Sequence, residues 1–177
     1  ALRQWRTGDS FADAILARLL RSSDLIAPDR TFATELFYGI LRNLSLLDFW
    51  IGSLRSEHLD HDGRDLLRLG VYQLFLLKTP EHAAVYETVE LAGARTRSLV
   101  NAVLRNALRK KEELVAEASK QDLSVRYSHP QFLIDRWTQN FGAENTAALC
   151  EWNNRPAQIY ARINRLNISV EEFLSKH

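Results

Sequence analysis

The chain has 177 residues, of which 46% are apolar and 25% are charged, and its formal net charge is +1. These proportions exclude disordered, collagen-like and mucin-like chains, and the 7 glycines and 4 prolines are too few for many short strands joined by tight turns. One cysteine, Cys150, excludes an internal disulfide and a cysteine-rich metal site. With no leader peptide and no apolar run of membrane-spanning length, the sequence predicts a helical protein of the cytoplasm.

Apolar residues recur at helical spacing from residue 10 to about residue 120. The six predicted helices cover residues 10–21 (capped by Asp9 or Ser10), 29–44, 46–54, 66–77, 80–93 (with Pro80 in the first helical position) and 98–120. Nine of the twelve residues in 66–77 are apolar, and a helix that is apolar on all sides belongs in the middle of a bundle. The pattern therefore predicts an all-α bundle built around residues 66–77.

The pattern changes after about residue 122. Residues 128–131 (Ser-His-Pro-Gln) resemble a capping box for a helix that ends at Gly142, and a second short helix covers 144–153. Residues 159–163 alternate like a β-strand, and Ser169 begins another capping box. Because a lone strand is not stable, we expect residues 123–177 to be linker helices and the truncated start of an α/β region.

Candidate catalytic and metal sites are few. The sequence has no Gly-x-Gly loop, no His-Glu-x-x-His motif and no serine nucleophile elbow. Cys150 has neither a cationic neighbour nor an adjacent histidine, which favours a small core residue over a nucleophile. His58 and His61 stand among acidic residues and could reach one metal ion, but no third ligand cluster closes the shell. We expect a solvated loop over residues 57–63, no metal and no catalytic residue.

The strongest signal is a local excess of basic residues. Between Leu91 and Lys111 the chain carries six basic side chains and no acidic one. On a helix, four of the residues in this stretch fall within one third of the circumference, away from the apolar face: Arg97, Asn101, Arg105 and Arg109. Such a row can follow a phosphate backbone, each contact releasing counterions. An ordinary solvated helix face explains the same spacing.

Other basic residues could extend this row. Arg30 and Arg42 flank the second predicted helix, and Arg3 and Arg6 lie in a loose N-terminal arm beside Trp5, which is available for stacking. Taken singly, each of these residues is also a reasonable surface residue or capping partner.

Four motifs, in order and with matching spacing, resemble the NusB-like RNA-binding domain. They are DRTFATELFYGILR at residues 29–42, LRLGVYQL at 67–74, TPEHAAVYETVELA at 79–92 and VNAVLR at 100–105. Together they cover about residues 10–112. The resemblance implies a NusB-like helical bundle at 1–122 and an RNA-binding role for it. Arg30, Arg42, Asn101 and Arg105 stand at matched motif positions, and the family pattern leaves open whether they contact RNA or lock helices together.

The remainder resembles the Sun (Fmu) type of 16S rRNA cytosine-C5 methyltransferase, through YSHPQFLIDRW at 127–137, NNRP at 153–156 and RIN at 162–164. In that family a NusB-like domain precedes a ferredoxin-like region and a catalytic domain that uses S-adenosylmethionine. The family's catalytic cysteines, in Pro-Cys and Thr-Cys contexts, and its Gly-rich cofactor loop are absent from these 177 residues. The catalytic domain and the cofactor are therefore expected only in a longer parent protein.

The resemblance implies the RNA-recognition module of a 16S rRNA cytosine-C5 methyltransferase, which is not catalytic by itself. Its expected partners are 16S ribosomal RNA and the catalytic domain of the same chain, with no metal and no membrane. One alternative is a stand-alone NusB-type antitermination regulator that binds RNA. Another is a helical adaptor that binds only protein.

Overall fold

The computed structural model describes every residue except 9, 78, 157–159, 161 and 177. The described residues form helices and contain no strand, which confirms the all-α prediction for the bundle. The helices are α1 (Leu2–Thr7), α2 (Ala12–Arg21), α3 (Ala27–Arg42), α4 (Leu44–Leu54), α5 (His61–Phe75), α6 (Glu81–Glu90), α7 (Arg97–Arg109), α8 (Lys111–Ala118), α9 (Leu123–Arg126), α10 (Gln131–Asn153) and α11 (Val170–Lys176).

Helix α5 is the centre of the bundle, as its apolar pattern predicted. It packs against α1, α3, α4, α6 and α7, and Leu67, Val71 and Leu74 on it are at most 2% exposed. Gly70 lies against Leu104 of α7, so closely that a Cβ atom added there would stand 2.6 Å from a Leu104 methyl carbon. The absence of a side chain at Gly70 thus lets α5 and α7 approach, which fixes the position of α7 on the bundle.

The long apolar stretch from residue 29 to residue 54 divides where the sequence predicted a break. Asn43 has φ −118° and ψ 22°, and its side-chain amide donates to the Gly39 carbonyl at 2.8 Å. This hydrogen bond gives a partner to a carbonyl in the last turn of α3, where carbonyls have no main-chain donor within the helix. Helix α4 then turns back to bury Leu47 and Trp50.

Several predicted boundaries are wrong. The N-cap of α2 is Phe11, without a side-chain hydrogen bond, and Asp9 lies outside the described residues. Helix α5 begins at His61, so the loop predicted over 57–63 is shorter, and Asp60 caps the helix by accepting from the Gly63 amide at 2.7 Å. Pro80 is the N-cap of α6 and precedes its first helical residue. Proline thus stands one position before the one predicted, and the carboxylate cap of α5 was not predicted.

The single helix predicted over 98–120 is two helices that meet at Lys110. The break lets α8 pack against α4, where the Trp50 indole N–H donates to the Leu114 carbonyl at 3.0 Å. Lys111, the first residue of α8, donates to the Leu74 carbonyl at 2.6 Å. These long-range contacts overrode a helical pattern that continues without interruption in the sequence.

The predicted loose arm at the N-terminus is helix α1, which is docked on α5. Arg6 pairs with Asp65 at 2.6 Å, and Arg3 forms an ion pair with Asp62. Trp5 of α1 is half-buried. The two arginines are therefore partly neutralised by carboxylates of α5 and are poor candidates for extending a cationic surface.

We expect the Arg3–Asp62 pair to give stability that depends on pH. The hydrogen bond from Arg3 holds the pKa of Asp62 below its ordinary value of 3.8, so the pair stabilises the folded state above that pH and loses its effect as the pH falls through the folded pKa. In Arg3→Ala, the Asp62 pKa should rise towards 3.8, measured by NMR titration. Urea titrations of both proteins should differ at neutral pH and converge in acid, and an equal difference at both pH values would contradict the assignment.

Beyond residue 122 the predicted capping box at 128–131 is wrong. Pro130 is the N-cap of α10 without a side-chain hydrogen bond, and Ser128, at φ 55°, instead accepts from the Leu46 amide at 3.1 Å. The predicted interruption at Gly142 is confirmed by its φ of 78° and ψ of 163° inside α10. The Ser169 cap is also confirmed, since its hydroxyl accepts from the Glu172 amide at 3.1 Å.

The strand predicted over 159–163 includes Ile159 and Ala161, which lie outside the described residues. The division of the chain at residue 122 stays a prediction. Contacts do cross that position: α9 packs against α4 and α10, and the Asn154 side chain donates to the Tyr127 carbonyl at 2.8 Å. The packing of α9 on α4 attaches α9 to the bundle, and the hydrogen bond from Asn154 joins the end of α10 to the end of α9.

Candidate nucleic-acid interface

The basic row predicted on the helix after residue 96 is formed by α7. Arg97, Arg105 and Arg109 are exposed and Asn101 is half-buried, and the four residues share one side because each is four positions from the next. The opposite side of α7 buries Val100, Val103, Leu104 and Ala107. The apolar side therefore holds α7 against α5 and turns the basic row outwards.

The members of the row differ in their electrostatic partners. Arg97 pairs with Glu90 of α6 at 3.3 Å, and both side chains are about half exposed. The Arg105 Nε donates to the Asn101 Oδ1 at 3.0 Å, and Arg105 and Arg109 form no ion pair with a carboxylate of the described residues. The uncompensated positive charge of the row thus lies in its second half, at Arg105 and Arg109.

Arg30 bonds to main-chain carbonyls near the start of its own helix. Its guanidinium donates to the Leu25 carbonyl at 2.8 Å and to the Ser23 carbonyl at 3.0 Å. It thereby fastens the segment between α2 and α3 to the first turns of α3. Bonds to main-chain carbonyls leave its charge uncompensated but give the side chain a structural role within its own element.

Arg42 also has internal partners. It donates to the Tyr38 carbonyl at 3.3 Å and to Glu35 Oε1 at 3.3 Å, and the Tyr72 hydroxyl donates to the same carboxylate at 2.7 Å. Burial, together with the hydrogen bond to Glu35, raises the pKa of the Tyr72 phenol above its ordinary value, so Tyr72 stays a donor at neutral pH. The arrangement fixes α3 on α5.

A groove of about 540 Å³ lies between α6 and α7, beside the basic row. Its apolar floor contains Val85, Val89 and Leu108, and His82 and Tyr86 of α6 line it together with Asn101 and Arg105 of α7. Sequence reasoning did not single out His82 and Tyr86. His82 and Tyr86 are four residues apart, and Val85 and Val89 repeat that spacing beside them, which is the signal that could have shown them as one face of a helix.

A larger groove of about 920 Å³ lies between α1, α3, α5 and the loop that joins α6 to α7. Leu36, Leu66 and Leu69 contribute to its apolar lining, and its rim carries both Arg95 and acidic residues of the start of α5. Because charges of both signs meet at this rim, the groove does not continue the positive surface of α7.

Comparison with known proteins identifies the first part of the chain. Residues 1–109 match the NusB family. The chain belongs to the NusB family. Residues 129–176 of this NusB-family chain match a second family, described as the RsmF/B-like methyltransferase ferredoxin-like domain. The resemblance found in the sequence motifs is thereby confirmed for both regions.

Similar curated proteins share one name, ribosomal RNA small subunit methyltransferase B. A relative from Shigella flexneri is 36% identical over 154 residues, which are 83% of this chain and 35% of that protein. One from Cronobacter sakazakii is 38% identical over 153 residues, 82% of this chain and 35% of the relative. A protein from Synechocystis, named as a probable member, is 35% identical over 181 residues, 97% of this chain and 41% of the relative. The NusB-family chain thus spans about two fifths or less of the length of these relatives.

The structure also describes the surroundings of the other candidate residues of this NusB-family chain. Cys150 is 0% exposed, and burial raises the pKa of its thiol, which favours the unreactive protonated form. No group of three or more His, Cys, Asp or Glu residues could hold a metal ion among the described residues. None of the helices searched in that part of the chain is long and apolar enough to cross a membrane.

Proposed function

We propose that this NusB-family chain binds RNA through the exposed row on α7, and that it is the RNA-recognition part of a 16S rRNA cytosine-C5 methyltransferase. The observation that carries the proposal is the pair Arg105 and Arg109, exposed and without a carboxylate partner among the described residues. Guanidinium groups hold phosphate oxygens through two parallel hydrogen bonds. A row of them along one helix supports contacts to successive phosphates of a backbone.

The methyltransferase assignment is supported by the order of the two matched families and by the name that the relatives share. A match to the ferredoxin-like domain at 129–176 favours this assignment over a stand-alone antitermination regulator or a protein-binding adaptor. In this proposal residues 1–122 recognise ribosomal RNA, and residues 123–177 connect them to the domain that carries out the chemistry.

The cofactor proposed for the whole enzyme is S-adenosylmethionine, but the residues of this chain do not fit it. The sequence has no Gly-x-Gly loop, and its one cysteine is buried in the fold. Methyl transfer to carbon 5 of cytosine is therefore assigned to none of these residues. Their proposed part in the reaction is to hold the RNA.

The proposal is tested by the salt dependence of RNA binding. Replacing Arg105 by alanine should weaken binding to many RNA sequences by similar factors, because phosphate contacts carry little sequence information. The slope of log affinity against log salt should flatten by roughly 0.7–0.9 for the lost contact. Fluorescence anisotropy with a structured fragment of small-subunit ribosomal RNA, at several salt concentrations, measures both effects.

The matched control is Arg21→Ala, since Arg21 is an exposed arginine of α2 and α2 packs against α1 and α3. This control should keep the parent affinity and slope. A triple variant of Arg97, Arg105 and Arg109 that binds with the parent slope would place the RNA-binding face elsewhere and reject the α7 row.

The proposed contributions of Arg30 and Arg42 can be separated from a structural role by the same assay. Weaker RNA binding with an unchanged free energy of unfolding would assign each residue to the RNA interface. An unchanged affinity with earlier unfolding in urea would assign it to helix locking, and the hydrogen bonds of both side chains support this second outcome.

A further inference from the structure

Tyr86 is an aromatic residue that the fold leaves uncovered. Tyr86 lies on α6 and is 63% exposed. It lines the groove between α6 and α7. His82 stands one helical turn before it and lines the same groove. Leaving an aromatic ring in water forgoes the stabilisation that burial would give, so this face of α6 presents a flat apolar surface to solvent.

The polar side of the groove comes from the basic row. Arg105 and Asn101 line the groove, and Arg105 also lines the neighbouring surface depression with Ala102 and Arg109. Arg105 therefore connects the groove to the outer side of α7. Its Nε is held by the Asn101 Oδ1 at 3.0 Å, which orients the guanidinium and leaves its two terminal nitrogens available as donors.

The charge around the groove favours an anionic occupant. The α7 side supplies the guanidinium of Arg105 and no carboxylate, since residues 91–111 include no acidic residue. Among the described residues, the carboxylate that lines the groove is that of Glu81, and it lies 3.8 Å from the Lys111 ammonium. A volume of about 540 Å³ is within the range of pockets that hold small-molecule ligands, roughly 300–1,000 Å³.

A flat aromatic ring beside a phosphate-binding cation is typical of protein sites that bind single-stranded nucleic acids. Their bases are unstacked and can lie on tyrosine or histidine rings. Bases in a duplex are stacked on one another and cannot reach such a ring, although duplex phosphates can still contact an arginine row. An aromatic ring beside an arginine row can therefore distinguish single-stranded RNA from duplex RNA.

We infer that the groove between α6 and α7 binds an unpaired base of RNA, stacked on Tyr86, while Arg105 holds the adjoining phosphate. The inference rests on the proposed function, because it places one nucleotide of the same RNA beside the α7 row. It adds selectivity for unpaired nucleotides to an interface whose arginines recognise only phosphate.

The test compares two fluorescein-labelled RNAs of equal length, a single strand of mixed sequence and a fully paired duplex. In Tyr86→Ala, the ratio of single-strand to duplex affinity should fall about 5- to 150-fold, as expected when one base–aromatic stack is lost. Tyr86→Phe keeps the ring and should restore most of the lost ratio. Phe132→Ala is the control, because Phe132 is an aromatic residue of α10 with a similar exposure of 68%; it should leave the ratio unchanged.

Each of the remaining outcomes would contradict the inference and would show whether the groove alone or the whole proposed function is wrong. If Tyr86→Ala keeps the parent ratio while Arg105→Ala weakens binding to both RNAs, the base-stacking groove is wrong and the proposed RNA-binding function stands. If Tyr86→Ala weakens both RNAs equally, or if Tyr86→Phe does not restore the ratio, the ring does not act by stacking on unpaired bases. If the parent chain binds neither RNA, the groove and the proposed function fall together.

Discussion

Replacing Leu74 by alanine should lower the free energy of unfolding by about 2–5 kcal/mol, the usual cost of truncating a buried leucine. Leu74 is 2% exposed and belongs to the core cluster around α5. Truncation removes apolar contacts on the helix that five others pack against, and the rigid neighbours can close the cavity only in part. Urea titration followed by circular dichroism measures the loss.

Leu69 is the matched control on the same helix. The apolar pattern of residues 66–77 does not distinguish Leu69 from Leu74, but in the structure Leu69 is only partly buried and lines the open groove beside α1 and α3. Its truncation leaves no closed cavity, so the loss should be clearly smaller than for Leu74. A loss below about 0.5 kcal/mol for Leu74→Ala, the range of ordinary surface substitutions, would contradict the central position of α5.

Replacing Arg68 by methionine should cost about 2–4 kcal/mol, because it leaves the partly buried carboxylate of Asp48 without its cation and leaves Asp65 with Arg6 as its remaining partner. Arg68 donates to both oxygens of Asp48, at 2.8 and 2.7 Å, and to Asp65 at 2.9 Å. Its side chain is 11% exposed. Burial opposes the charge, but the hydrogen bonds and the charge of Asp48 more than offset it, so the pKa of Arg68 lies above its ordinary value.

A double-mutant cycle with Asp48→Asn isolates the interaction. If Arg68 and Asp48 stabilise the fold mainly through each other, the double variant should be less destabilised than the sum of the two single variants. Arg155→Ala provides the surface comparison, since the Arg155–Glu151 pair at 2.8 Å is well exposed on both sides and should contribute no more than about 0.5 kcal/mol. Equal losses for Arg68→Met and Arg155→Ala would show that burial of the Arg68 network adds nothing.

Helices and their major breaks were predictable wherever a local signal marks them. The apolar pattern indicated α5 as the central helix, Asn43 and Gly142 marked interruptions that the structure contains, and Ser169 caps α11. Such features depend on neighbouring residues, because an asparagine, a glycine or a serine acts on backbone atoms within one turn. Family motifs added the likeness to NusB proteins, which the comparison over residues 1–109 confirmed.

Features that depend on distant residues were not predictable in the same way. Residue Lys110 divides α7 from α8 with no glycine or proline to mark it, because α8 must pack on α4. Ser128 looked like a helix cap but bonds to Leu46, 82 residues earlier in the chain. Arg3 and Arg6 looked like a free basic arm, but they pair with carboxylates of α5. In each case a partner remote in sequence decided between two locally acceptable states.

The candidate site also has features that depend on local sequence and features that depend on distant residues. The sequence by itself determined the basic row, since residues four apart on a helix lie on one side whatever the helix packs against. Only the tertiary structure decided which of the basic residues are exposed: Arg30 and Arg42 bond to main-chain carbonyls and to Glu35, whereas Arg105 and Arg109 face outwards. It also brought Tyr86 of α6 beside Arg105 of α7. Periodicity is a property of one helix, but a groove requires two, and their alignment depends on the side chains buried between them.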